Sequence, residues 1–247
     1  MEGQVSFGRF SGGTLSSHDQ VARALGVDIL AGTFPPGAKL PPEAEILARF
    51  GISRTVLREA FKTLTAKGLI VSKTRVGTTV LDSAHWNFFD ADILEWKISQ
   101  GFDLAFVRDL ADIRRSIEAT GAASAAERRS SADIAEMRRC IERMNAATAN
   151  AHAFALADLD FHKAVGRASG NVLIRSLAAV IETALLASFR MSSPVREADE
   201  HEASVAGHHR IVDAIEAGDA EGAAAAMRAI IGHGVARIER GINAPVV

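Results

Sequence analysis

The 247-residue chain has little that would cross-link it, anchor it or give it strong charge. It holds a single cysteine, Cys140. One thiol cannot close an internal disulfide, and the paired Cys/His spacings of a zinc finger are missing. A reducing compartment is the expectation. No apolar run approaches the ~20 residues that span a bilayer. No basic stretch followed by an apolar h-region opens the sequence. The expected place is therefore the cytoplasm, away from any membrane. Net charge is also small, formally −2 at pH 7, so no global excess points to nucleic acid. Nor does any segment carry a nucleophile motif or a Gly-rich phosphate loop.

What charge there is lies unevenly. Residues 17–82 hold nine lysines and arginines against six acids, whereas residues 83–247 hold 18 against 23. A basic N-terminal part on an acidic remainder suits an anionic partner at one end of the chain only. The length fits two domains at the usual ~100–200 residues each. The expected organisation is a flexible Gly/Ser-rich arm (1–16), a first domain (17–82), an aromatic connector (83–102), a second domain (103–241) and a tail (242–247).

Residues 17–82 read as helix, helix, helix, hairpin. Val21, Leu25, Ile29 and Leu30 recur at helical spacing, and Gly32 stops that helix. In "FPPGAKLPPEAEILARF" a Pro-Gly turn leads to Pro42 in the first turn of the next helix, with Glu43 and Glu45 at its positive end. Gly51 ends that helix. Ser53 caps a third, whose stripe is Leu57, Phe61 and Leu64 and whose stop is Gly68. "LIVSKTRVGTTVLD" then gives two short β-branched strands around a turn. Two helices joined by a Gly-containing turn, the second opening Ser-Arg-Thr, fit a helix-turn-helix. Arg54 and Arg58 are four apart and share a face. An arginine there can meet guanine O6 and N7 with two hydrogen bonds. The Ser53 and Thr55 hydroxyls suit phosphates. The hairpin tip offers Lys73 and Arg75 beside Gly77. The plain alternative, an arginine pair that only solvates a helix, is outweighed because helix start, hairpin and local charge agree.

The connector "SAHWNFFDADILEWKI" holds both tryptophans. Its Trp86, Phe88, Phe89 and Trp96 are expected to pack the two domains together. Beyond it only helical patterns follow. Starts fall at Ser131, Asn150 or Ala151, Asn171 and Asp219, and stops at Gly170, the "SSP" of 192–194, Gly218 and Gly241. Ile134, Met137, Ile141 and Met144 form a clear stripe. About six helices, many Ala-rich, predict a close-packed bundle. The expected fold is mostly α: a winged helix-turn-helix of three helices plus a β-hairpin, joined to an all-α helical bundle. Within the bundle, "DLDFHKAVGRASGN" sets Asp158 and His162 on one helical face and turns Asp160 away. Such a pair can ligate a metal, act as acid and base, or solvate a surface.

"LPPEAEILARFGISRTVLREAFKTLTAKGLIVSKTRVGTTV" resembles the winged helix-turn-helix of the GntR family of bacterial transcription regulators, including its "SRT-x-x-REA" core. The resemblance implies that Arg54 and Arg58 read base edges and that the wing meets DNA around Gly77. It departs at Ala44, where several members have an arginine that touches DNA. The bundle resembles the FadR branch with its FCD effector domain in three segments: "DIRRSIEATGAASAAERRS", "DLDFHKAVGRASGNVLI" and "HHRIVDAIEAGDAEGAAAAMRA". The first carries Arg114 and Glu118. In many such domains one Asp and three His hold a divalent metal such as Zn²⁺, which binds an effector carboxylate. Carried over, the ligands are Asp158, His162 and His208. His209 lies about 100° round the helix from His208. The third histidine falls at Ile230, which cannot ligate, and His233 would serve only with a shifted geometry. Arg114, Asp158, His162, Asn171 and His208 are the implied effector contacts. The "WNFFD" stretch resembles the branch that controls galactonate and related sugar-acid catabolism.

The leading expectation is a homodimeric repressor that binds near-palindromic operator DNA and is released by a sugar acid, such as an aldonate, in the helical domain. The alternative is a metal-dependent hydrolase or lyase acting on a small hydroxy acid through Asp158, His162 and His208. A third reading, a DNA-architectural protein with an inert bundle, sits poorly with polar residues on inward faces.

Overall fold

The computed structural model describes residues 16–73, 76–100, 103–177, 182, 185 and 193–243. The expectations for Arg75, for residues 1–15 of the arm and for residues 244–247 of the tail lie outside the described residues. Contacts divide the chain into two compact units that meet between residues 100 and 101.

In the N-terminal unit, α1 (Ser17–Leu30) opens on Ser16, whose hydroxyl accepts from the Asp19 N–H. It buries Val21, Leu25 and Ile29. Helix α2 (Glu43–Phe50) follows Pro42, which stands one residue outside the helix as its cap rather than in the first turn. Gly51 ends α2 at φ 62°, a left-handed conformation that a residue with a Cβ adopts only at a cost. Ser53 then accepts from the Val56 N–H and starts α3 (Arg54–Ala66). Strands β1 (Ile70–Lys73) and β2 (Gly77–Val80) pair antiparallel, Ile70 opposite Val80 and Lys73 opposite Gly77. This is the three helices and wing that the sequence predicts.

The connector belongs to this unit. Helix α4 (Ala91–Ser99) is capped by Asp90, whose carboxylate accepts from Asp92 and Ile93. Ile93 and Trp96 complete the same core as Leu25, Leu57 and Leu64, with Trp86 and Phe88 packed on it. Trp96 packs against Gly26: a Cβ there would sit 2.3 Å from Trp96 Cζ3. The aromatics thus extend the N-terminal core, except Phe89, which is exposed.

Among its described residues the second unit is wholly helical: α5 (Leu104–Arg128), α6 (Ser131–Ala146), α7 (Ala151–Ala168), the short α8 (Val172–Ser176), α9 (Ala198–Ala217) and α10 (Ala220–Asn243). Ser130 and Asp133 form a capping box at α6, and Asn150 caps α7. Helix α10 packs on α5 and α9, and α6 on α7. Buried Ala119, Ala122, Ala125 and Ala126 line α5, small enough for close helix approach, while Met137, Ile141, Phe154, Phe161 and Ile215 fill the core. Gly218 ends α9 at φ 78°, as expected, but α10 continues past Gly241 to Asn243.

Candidate functional site

Two surfaces carry chemistry, one in each unit. On the first, Ser53, Arg54, Thr55 and Arg58 are all exposed at the start of α3. Ser53 spends its oxygen capping the helix, while its hydroxyl proton stays available for an acceptor. Arg58, Lys62 and Thr65 from α3 face Ser72, Lys73 and Gly77 from the wing across one groove. So the structure brings Arg58, Lys73 and Gly77 together and adds Lys62, which sequence reasoning passed over. Lys62 pairs with Glu59 at 2.7 Å. Gly77 has φ 104°, which allows the wing to turn back on itself. Ala44 is exposed, with a methyl group where an arginine would reach outward.

The second surface is a buried pocket between α5, α7, α9 and α10. Arg114, Asp158, His162 and His208 line it together with Ser204 and Arg237. The four expected residues are 1–6% exposed. Asp158 and His162 sit four apart on α7, and Asp158 Oδ2 is 3.7 Å from His162 Nε2. His208 Nε2 comes from α9 to 3.0 Å of Asp158 Oδ1. The three residues offer ligand atoms within 4.8 Å of one another. Asp160, as its spacing predicts, points away and pairs with Arg143 at 3.0 Å. His209 is exposed.

The far sides of both imidazoles decide their tautomers. His208 Nδ1 donates to the Ser204 carbonyl at 2.7 Å. His162 Nδ1 lies against Glu118 Oε2. An acceptor at Nδ1 favours a proton there, so that loss of the proton from Nε2 gives a neutral ring whose Nε2 can ligate. Both Nε2 atoms face the Asp158 carboxylate; a proton on His208 Nε2 would be donated to Asp158 Oδ1, and a cation bound at this point would take that proton's place. Two imidazole nitrogens, each ring backed by an acceptor at Nδ1, and a carboxylate with an unpartnered buried oxygen are a donor set that fits a divalent cation. Glu118 also accepts from Arg114 Nε at 2.5 Å. Burial pushes its carboxyl up, but the Arg114 guanidinium and His162 outweigh that and hold it at about 2. At Asp158 burial acts upward too, and His208 and His162 more than reverse it, so the carboxyl stays below its ordinary value.

Two expected residues are not part of this cluster. Asn171 is spent as the cap of α8, where Oδ1 accepts from Leu173 and Ile174, and it does not line the pocket. His233 does not replace the missing ligand: its Nε2 lies 3.6 Å from Glu200 Oε2, and its side chain is 37% exposed. Ile230 does line the pocket, with Cδ1 packed over Gly207 on α9. Arg237 was missed. Its signal was the helical period, since it follows Ile230 by two turns of α10.

A winged helix in one unit and, in the other, a helical bundle with a buried cluster of Asp, His and Arg together suggest a DNA-binding regulator with an effector domain. Comparison with known proteins gives the family. Residues 17–80 match "Bacterial regulatory proteins, gntR family", and residues 109–233 match the FCD domain. The chain belongs to the GntR family of transcription regulators with an FCD domain. It is 31% identical over 226 residues to the galactonate operon transcriptional repressor of Escherichia coli, covering 92% of this chain and 98% of that protein. It is 33% identical over 206 residues to a probable D-xylose utilization operon transcriptional repressor of Paenarthrobacter nicotinovorans, covering 82% and 80%. A solved structure of Lar, described as controlling the expression of the Listeria monocytogenes agr system, shares the fold with a TM-score of 0.59 at 17% identity, over 92% of this chain and 99% of that one. Family membership decides between regulator and enzyme: the chain is a transcription regulator.

Proposed function

We propose that this chain represses a sugar-acid catabolic operon, binds its operator as a homodimer in the cytoplasm, and is released by a carboxylate effector in the buried pocket. The relatives named for galactonate and D-xylose operons support the class of effector. The observation that carries the reading is the gathering of His162 Nε2 and His208 Nε2 beside the Asp158 carboxylate inside a pocket that Arg114 also lines. Asp158, His162 and His208 would hold a divalent metal such as Zn²⁺. Bound there, it would supply positive charge and open positions for carboxylate and hydroxyl oxygens. With Ile230 in the fourth place, three protein ligands leave more of the ion open to the effector. Arg114 stands ready with a guanidinium for an effector oxygen.

On the DNA side, Arg54 and Arg58 would read base edges, while Ser53, Thr55, Lys73, Arg75 and Gly77 would meet the backbone or minor groove. The effector can release DNA only if it favours a state of the chain that DNA does not. Gel-shift titration of the upstream region of the protein's own gene tests both halves. Arg58→Ala should lose about 1–3 kcal/mol of specific binding. An aldonate with Zn²⁺ should weaken wild-type binding about tenfold or more. If no sugar acid weakens it, the effector reading fails.

A further inference from the structure

Among the described residues that line the buried cavity, the polar ones are Arg114, Asp158, His162, Ser204, His208 and Arg237, and the rest are hydrocarbon or glycine. All but Ser204 stand against a charged or ring partner. Asp158, His162 and His208 face one another. Arg114 meets Glu118, and Arg237 has Glu200 nearby. Ser204 is only 5% exposed, and its hydroxyl makes no hydrogen bond among the described residues. A helical hydroxyl commonly returns its proton to the carbonyl one turn earlier. Thr63, Ser116 and Thr120 do so in this chain. Ser204 does not. A buried hydroxyl without a partner is costly, so one kept on a cavity wall points to an oxygen or nitrogen that arrives from outside.

Helix α9 settles where that hydroxyl stands. Ser204 and His208 are one turn apart and share a face, with about 5–6 Å between their Cβ atoms. The backbone of Ser204 has a separate task, since its carbonyl accepts from His208 Nδ1 at 2.7 Å. Any residue at this position keeps that carbonyl, whereas only a hydroxyl side chain serves the cavity. The donor inventory then says what it serves. A carboxylate needs donors or positive charge, which Arg114 and a cation at the His/Asp cluster supply. A ligand hydroxyl is best met by a group that both donates and accepts. Arginine only donates, and the Asp158 oxygens are taken up with the two histidines. Serine does both.

We propose that Ser204 is a specificity-determining residue whose hydroxyl bonds to the C2 hydroxyl of a 2-hydroxy acid, the oxygen beside the carboxylate held at Arg114 and the His/Asp cluster. The inference rests on the reading that a carboxylate effector enters this pocket.

The cavity is small, so short acids test it. Glycerate, the three-carbon aldonate, and 3-hydroxypropionate differ only in the C2 hydroxyl. Both are titrated calorimetrically into the full chain in Zn²⁺ buffer. Chelation by Zn²⁺ also favours the C2 oxygen, so the readout is the change in the ratio of the two dissociation constants between wild type and variant. Ser204→Ala should cut the preference for glycerate about fivefold and leave 3-hydroxypropionate within about twofold. Zn²⁺ affinity should not change, because His208 keeps its backbone acceptor. Ser204→Thr returns a hydroxyl and should restore most of the preference. An unchanged ratio in Ser204→Ala, or both acids weakened by one factor, would overturn the assignment to Ser204 and leave the effector reading standing. Binding of neither acid to the wild type would overturn that reading as well.

Discussion

Glu118 is the residue that ties the pocket's two basic partners together. One oxygen meets Arg114 and the other meets His162, and all three side chains are buried. Glu118→Gln removes the charge and leaves Arg114 buried beside an amide. Breaking one side of such a pair costs about 3–5 kcal/mol. The amide also keeps only one acceptor oxygen for two donors, so either Arg114 or His162 Nδ1 faces an NH₂, and losing the charged acceptor behind His162 should weaken Zn²⁺ binding ~10–100-fold. Thermal unfolding and a Zn²⁺ titration measure the two effects separately; unchanged metal affinity would detach Glu118 from the metal reading. At this scale the sequence was partly legible. Spacing and family resemblance together located Asp158, His162 and His208. Asn171 misled, because Asn at a helix start has two uses, and capping took its oxygen. His233 misled because proximity in sequence does not say which carboxylate an imidazole meets. Arg237 was hidden for a related reason: an arginine near a helix end reads as surface until the neighbouring helices are in place.

Among the elements, α3 and α4 are joined by a buried cation. Lys67, the C-cap of α3, has a side chain only 8% exposed, and its Nζ meets Asp90 at 2.6 Å and Asp92 at 2.8 Å. It also stands 5.5 Å from the Trp96 ring centroid. Two carboxylates at the first turn of α4 suit the positive end of that helix, so the lysine and the helix dipole hold them jointly. Lys67→Met keeps the apolar stem and removes the charge. Since both aspartates keep some water contact, the loss should sit near the lower end for a broken buried pair, about 3 kcal/mol. Denaturant unfolding checks it, and a change under about 0.5 kcal/mol would mean that the dipole alone suffices. Helices and wing were readable because their caps and stops are local: Ser53, Gly51 and Gly218 each do their work within a few residues. The Lys67 latch was not, because it links groups 23 and 25 residues apart.

For the whole molecule, the informative feature is the border between the units: the family match ends at residue 80. The change of composition after Asp82 suggested a domain end there, yet the compact N-terminal unit runs to Gln100. Composition marks where the pattern changes, whereas a domain ends where its core is complete. That core takes Ile93 and Trp96 from α4 and is covered by Trp86 and Phe88. Burying a large apolar side chain fully is worth about 1.5–3 kcal/mol. Removing these residues together would forfeit much of the ~5–15 kcal/mol that holds a domain folded. A fragment of residues 16–100 should therefore unfold cooperatively on its own, whereas residues 16–82 should be largely unfolded at 25 °C. Circular dichroism melts of the two fragments decide it. A cooperative, equally stable 16–82 fragment would show that the first three helices and the wing are sufficient. The comparison bears on function too, because the recognition helix α3 supplies Leu57, Phe61 and Leu64 to this same core. If α4 completes the core, it also fixes the helix that carries Arg54 and Arg58. The 16–100 fragment should then retain operator binding that the shorter one lacks, at an affinity lowered by the loss of whatever dimer contacts the second unit provides.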